Sequence, residues 1–269
     1  MSLPTKDVLS KLDLSGIDKA ERSGSKTLAL AVMAGAFIGF AALLATTSAT
    51  GWSIEGADVF YGPKKILFGA VFSTGLMLVL IPGGDLFTGN ILMTLPLFKR
   101  DISVGKMLRN WLLVWGGNFI GALLLAWIVA GPAGLMAGKV GETAMKVAAA
   151  KCGLTGIQIF SRAVLANWIV CLAVMMAYSA KDTAGKIWAI FFPIMGFAAV
   201  GFEHSIANMY FVPVALFTKI AQGTDHYQAL TAVNGIRNIL IATVGNILGG
   251  ALPVAAFYHR IHRSEEEEV

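Results

Sequence analysis

Long apolar runs separated by short polar stretches dominate the chain, and six of them reach the roughly 20 residues that a helix needs to cross a bilayer. They cover about residues 27–48, 65–98, 106–130, 155–179, 187–217 and 230–258. Two are interrupted: the second at Pro82-Gly83-Gly84-Asp85, the fifth at Gly201-Phe202-Glu203-His204-Ser205. The first carries Ala31, Gly35 and Gly39 at four-residue spacing, which lets helix backbones approach closely in a packed bundle. The pattern predicts an all-α membrane protein of six transmembrane helices, with the second and fifth helices broken.

Composition removes the soluble alternatives. Of 269 residues, 56% are hydrophobic and 14% charged, with a mean hydropathy of +0.70, against about a quarter charged in soluble domains. The net charge of +5 is spread between apolar blocks, so nucleic acid is not an expected partner; the lipid bilayer is. Cys152 and Cys171 form no CxxC and read as buried apolar side chains. Residues 1–25 are polar and lack the apolar run of a signal peptide. Val8, Leu9, Leu12, Leu14 and Ile17 fall at helical spacing there, as in an amphipathic helix at the membrane surface, with a frayed terminus the other reading.

Basic residues orient the spans. The N-terminal segment, the connections holding Lys99, Arg100, Lys106 and Arg109 and then Lys181 and Lys186, and the tail with Arg260 and Arg263 are richer in Lys and Arg than the alternate connections. Both termini are therefore expected in the cytoplasm. The division is a cytoplasmic segment 1–25, a transmembrane domain 26–258 and a charged cytoplasmic tail 259–269, where Glu265–Glu268 reads as a solvated end.

The two halves resemble each other. Asp85 and Asn90 are five residues apart in the second span, as are Glu203 and Asn208 in the fifth. Gly117-Asn118-Phe119-Ile120-Gly121 then follows in the third span and Gly245-Asn246-Ile247-Leu248-Gly249 in the sixth. Three spans per half is an odd number, so the second copy enters from the opposite side, giving two inverted three-helix repeats. Broken helices at matching positions point to a permeation site, because irregular backbone survives at membrane depth only inside protein or beside a wet cavity.

Ionisable groups at such breaks are costly and face a functional interior. His204 changes charge near neutral pH and is expected to exchange a proton or to hydrogen-bond a passing solute; a satisfied core histidine is the bland alternative. Asp85 and Glu203 would repel an anion lining the same route. With Asn90 and Asn208 they are read as structural at the breaks, binding backbone N–H groups that hold each break open. Lys151, at the outer end ahead of the fourth span, would raise the local anion concentration. Arg162 and Arg237 read as packed or snorkelling. No catalytic constellation, cofactor motif or metal-ligand spacing is present, so neither an enzyme nor a metal or cofactor is expected.

Asp85-Leu86-Phe87-Thr88, the stretch Leu165-Ala166-Asn167-Trp168-Ile169-Val170-Cys171-Leu172-Ala173 and above all Gly201-Phe202-Glu203-His204-Ser205-Ile206-Ala207-Asn208-Met209 resemble the formate/nitrite transporter family, with Gly116-Gly117-Asn118 and Gly245-Asn246 in agreement. The resemblance runs from about residue 25 to 258. It implies a homopentamer of aquaporin-like protomers, each with its own pore, in a prokaryotic cytoplasmic (inner) membrane, carrying a small monovalent weak-acid anion. It further implies that Leu86 and Phe87 form a cytoplasmic-side constriction, Phe72, Leu76 and Phe197 an outer one, His204 the central histidine with Thr88 and Asn167 beside it, and Lys151 the outer-vestibule lysine. Gly89-Asn90 departs from the Ser-Thr usual in formate channels, which keeps formate, hydrosulfide and nitrite all in view, with formate ranked slightly first. An aquaporin-like channel for neutral solutes is the alternative; neither break carries its Asn-Pro-Ala signature.

Overall fold

The computed structural model describes residues 2–52 and 60–267, with side chains described as far as His262. The polar start folds as α1 (Thr5–Glu21), and the first apolar run as α2 (Gly24–Ser48). The second run is split into α3 (Tyr61–Phe72), α4 (Thr74–Leu80), α5 (Phe87–Asn90), a 3₁₀ turn at Ile91–Met93, and α6 (Thr94–Phe98). α7 (Val104–Ala130) and α8 (Gly138–Cys152) follow, then α9 (Gly156–Ser179), α10 (Thr183–Val200) and α11 (Ser205–Gln222). The last run is α12 (Ala232–Gly250), a π turn at Ala251–Ala256 around Pro253, and α13 (Phe257–Glu267). All the described regular structure is helical, and six helices among the described residues are long and apolar enough to cross a membrane.

Local chemistry sets the boundaries. Ser103, Asp182 and Thr231 cap their helices by accepting the N–H three residues on. Thr155 and Gln158 form a full capping box at the start of α9. Gly201 ends α10 at φ +84°, a left-handed value that suits glycine. Between α3 and α4 the Ser73 hydroxyl donates to the carbonyl of Gly69 and reaches that of Phe191 at 3.0 Å, tying this point of the second span to α10.

Two helix pairs hold the bundle together. On α7, a side chain at Gly117 or Gly121 would strike Ala31 or the Val32 carbonyl of α2; on α12, one at Gly245 or Gly249 would strike Ala163 or the Val164 carbonyl of α9. The Gly-Asn-x-x-Gly motif thus supplies the same close crossing twice.

Two elements differ from the sequence reading. α1 is helical and amphipathic as expected, but Val8, Leu9 and Leu12 pack on Leu92, Leu95, Val174 and Met175. Its apolar face is spent on the protein, so lipid does not receive those side chains. α8 was read as plain connection, because its Gly, Ala and Lys content carries little apolar signal; Ala144, Met145, Ala148 and Cys152 nevertheless form a buried stripe at helical spacing. The Glu265–Glu268 run lies outside the described side chains.

Candidate permeation pathway

Both breaks are held by an asparagine from the Gly-Asn-x-x-Gly motif. Asn118 accepts the N–H of Phe87 at 2.9 Å and donates to the carbonyls of Asp85 at 2.9 Å and Ala31 at 2.7 Å. Asn246 accepts the N–H of Ser205 at 2.9 Å and donates to the carbonyls of Glu203 at 3.1 Å and Ala163 at 2.8 Å. The backbone groups freed by each break are therefore satisfied inside protein. This corrects the role expected of the carboxylates: Asn118 and Asn246 hold the backbone, and Asp85 and Glu203 do something else.

Each carboxylate anchors a lysine. Glu203 Oε1 accepts from Lys151 Nζ at 2.9 Å, while Oε2 accepts from Asn208 at 2.7 Å and Asn238 at 3.1 Å. Asp85 Oδ2 accepts from Arg22 at 2.6 Å, and Oδ1 lies 3.6 Å from Lys19 Nζ and 3.5 Å from the Asn90 amide. Lys19 also donates to Asn90 Oδ1 at 2.6 Å. Asn110 donates to the Lys19 carbonyl at 3.2 Å, and Asn238 to that of Lys151 at 3.0 Å. Lys19 on α1 and Lys151 on α8 thus occupy equivalent places. Each half ties a helix outside its spans to its break through the same set of bonds, an arrangement compatible with two inverted repeats.

Two separate chambers lie beside the two breaks. On the α8 side a chamber of about 780 Å³ is lined by the charged residues Lys64, Lys65, Lys146, Lys151, Arg162 and Glu203 and by Phe72, Phe197, Phe202, Phe211 and His204. The rings are in contact: Phe72 to Phe197 at 6.0 Å, Phe72 to Phe211 at 6.4 Å, and Phe197 edge-to-face with His204 at 5.7 Å. Lys151 Nζ stands 5.6 Å from the Phe211 ring centre. On the α1 side a small chamber of about 30 Å³ is lined by Lys19, Leu76, Val79, Leu86, Asn90 and residues of α1, α4 and α9.

His204 is where the two sides meet. As N-cap of α11 its Nδ1 accepts the N–H of Ala207 at 3.1 Å. With Nδ1 accepting, the proton of the neutral ring belongs on Nε2, which faces Thr88 Oγ1 at 2.9 Å. Thr88 is fixed through its carbonyl, which accepts from Asn167 at 3.2 Å and lies 3.6 Å from Cys171 Sγ. Both His204 and Thr88 are buried.

A description of formate/nitrite transporters as a family matches residues 6–260. The chain belongs to the formate/nitrite transporter family. Its relatives include a probable formate transporter of Methanothermobacter thermautotrophicus, 39% identical over 249 residues and covering 87% of each chain. Formate channel FocA of Escherichia coli strain K12 is 34% identical over 267 residues, covering 94% of this chain and 92% of the relative. Among solved structures, a channel described as an FNT family ion channel superposes with a TM-score of 0.84 at 28% identity, over 95% of this chain and 99% of that one. A pentameric formate channel with formate bound superposes at 0.77 and 34% identity, over 89% and 97%.

Within this transporter family fold, the residues singled out from sequence are distributed as follows. His204, Phe72, Phe197, Lys151 and Glu203 border the large chamber, and Leu86, Leu76 and Asn90 the small one. Leu76 thus lines the small chamber with Leu86, while Phe72 and Phe197 line the large one. Phe87 lines neither described chamber; its ring meets Trp111 edge-on at 6.1 Å. Asn167 acts on Thr88 and on the Asn246 carbonyl at 2.7 Å, and Asn208 on Glu203. Sequence reasoning missed Lys19, Arg22, Asn110, Asn238, Phe202 and Phe211. Lys19 looked like one more solvated lysine. Aligning the repeats from their surface helices inward would have matched it to Lys151.

Proposed function

We propose that the chain carries small monovalent weak-acid anions, formate first among formate, hydrosulfide and nitrite, across the cytoplasmic membrane of a prokaryote. It does so as a homopentamer in which each aquaporin-like protomer holds its own route. The α1 face and both termini are cytoplasmic, in line with the Lys and Arg distribution. The observation that carries the reading is a half-buried cation, Lys151, lining one chamber together with phenylalanines and a neutral-tautomer histidine. Membership of the family and the formate relatives support it.

The chemistry follows from desolvation. Lys151 and the surrounding cations draw an anion into the chamber. Past it, Phe72, Phe197 and Phe211 offer no compensating charge, so a bare anion pays a large penalty and its conjugate acid does not. The proton is taken up where water is still present, at the chamber end. His204 is a poor source for it: Nδ1 is occupied by the Ala207 N–H, and Nε2–H has one hydrogen bond to give. The passing acid takes that bond over from Thr88, whose hydroxyl, released, takes its other side. Beyond Thr88 the route runs past Leu86, Leu76 and Val79 to the second lysine, Lys19, where the acid loses its proton again. A neutral-solute channel of the water or glycerol kind has no use for a half-buried lysine on a buried carboxylate at each mouth.

The test is flux into proteoliposomes of formate, nitrite, hydrosulfide and glycerol at two pH values. Weak-acid anions enter, faster at the lower pH, and glycerol does not. Lys151→Met raises KM for the anion about tenfold. Glycerol entry at a comparable rate, or unchanged KM in Lys151→Met, overturns the reading.

A further inference from the structure

Two buried asparagines that no sequence motif marked, Asn110 on α7 and Asn238 on α12, sit at corresponding points of the two mouths. We propose that they are positioning residues for anion capture. Each locks a lysine-bearing surface helix to the break beside it, and Asn238 also shares Glu203 with Lys151 so that the ammonium can leave the carboxylate for an incoming anion. The proposal rests on the reading of Lys151 as the anion-collecting cation.

Bonding supports it. Asn238 Oδ1 accepts from Asn208 at 2.6 Å, and its amide donates to the carbonyl of Lys151 and to Glu203 Oε2. Asn110 Oδ1 accepts from Asn90 at 2.9 Å, and its amide donates to the carbonyl of Lys19. An amide that merely fills a core needs partners of any kind. These two take the same two partners at opposite mouths: the asparagine of the break and the carbonyl of the lysine itself.

Glu203 shows what the bond does. Its two oxygens accept three hydrogen bonds, one from Lys151 and two from amides. Removing the Asn238 donor leaves Lys151 and Asn208 to satisfy the carboxylate, and it takes from the last turn of α8 its shorter bond to the Lys151 carbonyl, 3.0 Å against 3.4 Å from the Leu154 N–H. The ion pair then tightens, and an anion must compete harder for Lys151. Capture weakens while passage through the aromatic neck does not change. At the other mouth Asp85 is already held by Arg22, so Asn110 affects capture less.

Initial rates of formate entry into right-side-out and inside-out membrane vesicles, carrying the full chain, test this. Right-side-out vesicles present the α8 mouth. There, Asn238→Leu and the size-matched Asn238→Asp are expected to raise KM about tenfold, the scale of one hydrogen bond to a charged group, with the maximal rate within about twofold. Inside-out vesicles show the smaller KM rise with Asn110→Leu and none with Asn238→Leu. In a Lys151→Met background, Asn238→Leu adds nothing to KM, as required of a residue acting through Lys151. If Asn238→Leu does not assemble as the oligomer, Asn238→Asp decides. A loss of maximal rate alone, a KM rise equal from both faces, or one that persists without Lys151 overturns the proposal. Raised KM in Lys151→Met with silent Asn238 variants strikes this proposal only; an unchanged KM in Lys151→Met strikes the reading beneath it as well.

Discussion

A ring nitrogen that caps a helix cannot also take up a proton without giving up the cap. That constraint on His204 separates two ideas that its residue type alone leaves together, proton exchange and hydrogen-bond donation. Asparagine at this position retains a capping oxygen for Ala207 and an N–H for Thr88. His204→Asn is therefore expected to keep formate flux within about threefold, with an unaltered pH profile. His204→Phe leaves the Ala207 N–H and the Thr88 hydroxyl unpaired in a buried site, at about 1–3 kcal/mol for each group. It is expected to cut flux tenfold or more. Stopped-flow uptake between pH 5 and 8 reads both. A changed profile in His204→Asn would return proton exchange to the ring.

Among the elements, α1 is the one whose attachment responds to pH. Asp13, on its buried face, lies 2.7 Å from Lys99. Burial pushes its carboxyl above the ordinary range, more than the hydrogen bond and charge of Lys99 pull it down; Asp101 adds to the rise and His259 opposes it. A group whose pKa is raised by docking binds its proton more firmly in the docked form. The contribution is complete below the pKa of the released segment and fades as pH rises through the docked value. α1 should therefore hold more tightly as pH falls through the acid range. Protease cleavage at α1 is expected to slow with acidification, and Asp13→Asn to abolish that dependence; cleavage that speeds up as pH falls contradicts it. The α2–α7 and α9–α12 crossings are a separate matter of contact. Gly121→Leu or Gly249→Leu drives a side chain into the backbone of the facing helix. Overpacking of this sort costs about 1–3 kcal/mol and lowers the melting temperature of the solubilised oligomer.

At the level of the molecule, the spans were legible because lipid demands long apolar runs, and the breaks because polar residues in such runs need a reason. Glu203, His204 and Lys151 could be picked out on that ground. α8 could not, since a short helix of alanine, glycine and lysine looks like a connection until its buried face is matched to α11. Asn110 and Asn238 stayed hidden for a different reason: an amide within an apolar helix has meaning only through partners such as the Lys19 and Lys151 carbonyls, far away along the chain. Leu76, grouped with Phe72 and Phe197 by resemblance, lines the small chamber with Leu86, a neighbour that no local residue pattern marks. The join between His204 and Thr88 also bears on how the protein is made, for these residues stand 116 positions apart and belong to different halves. A ribosome that has released the first three spans into the membrane has delivered Thr88 with no imidazole to meet it and without the Phe197 and Phe211 walls. The hydrogen bond at the centre and the aromatic neck beside it are therefore completed together, only once both halves are in the membrane.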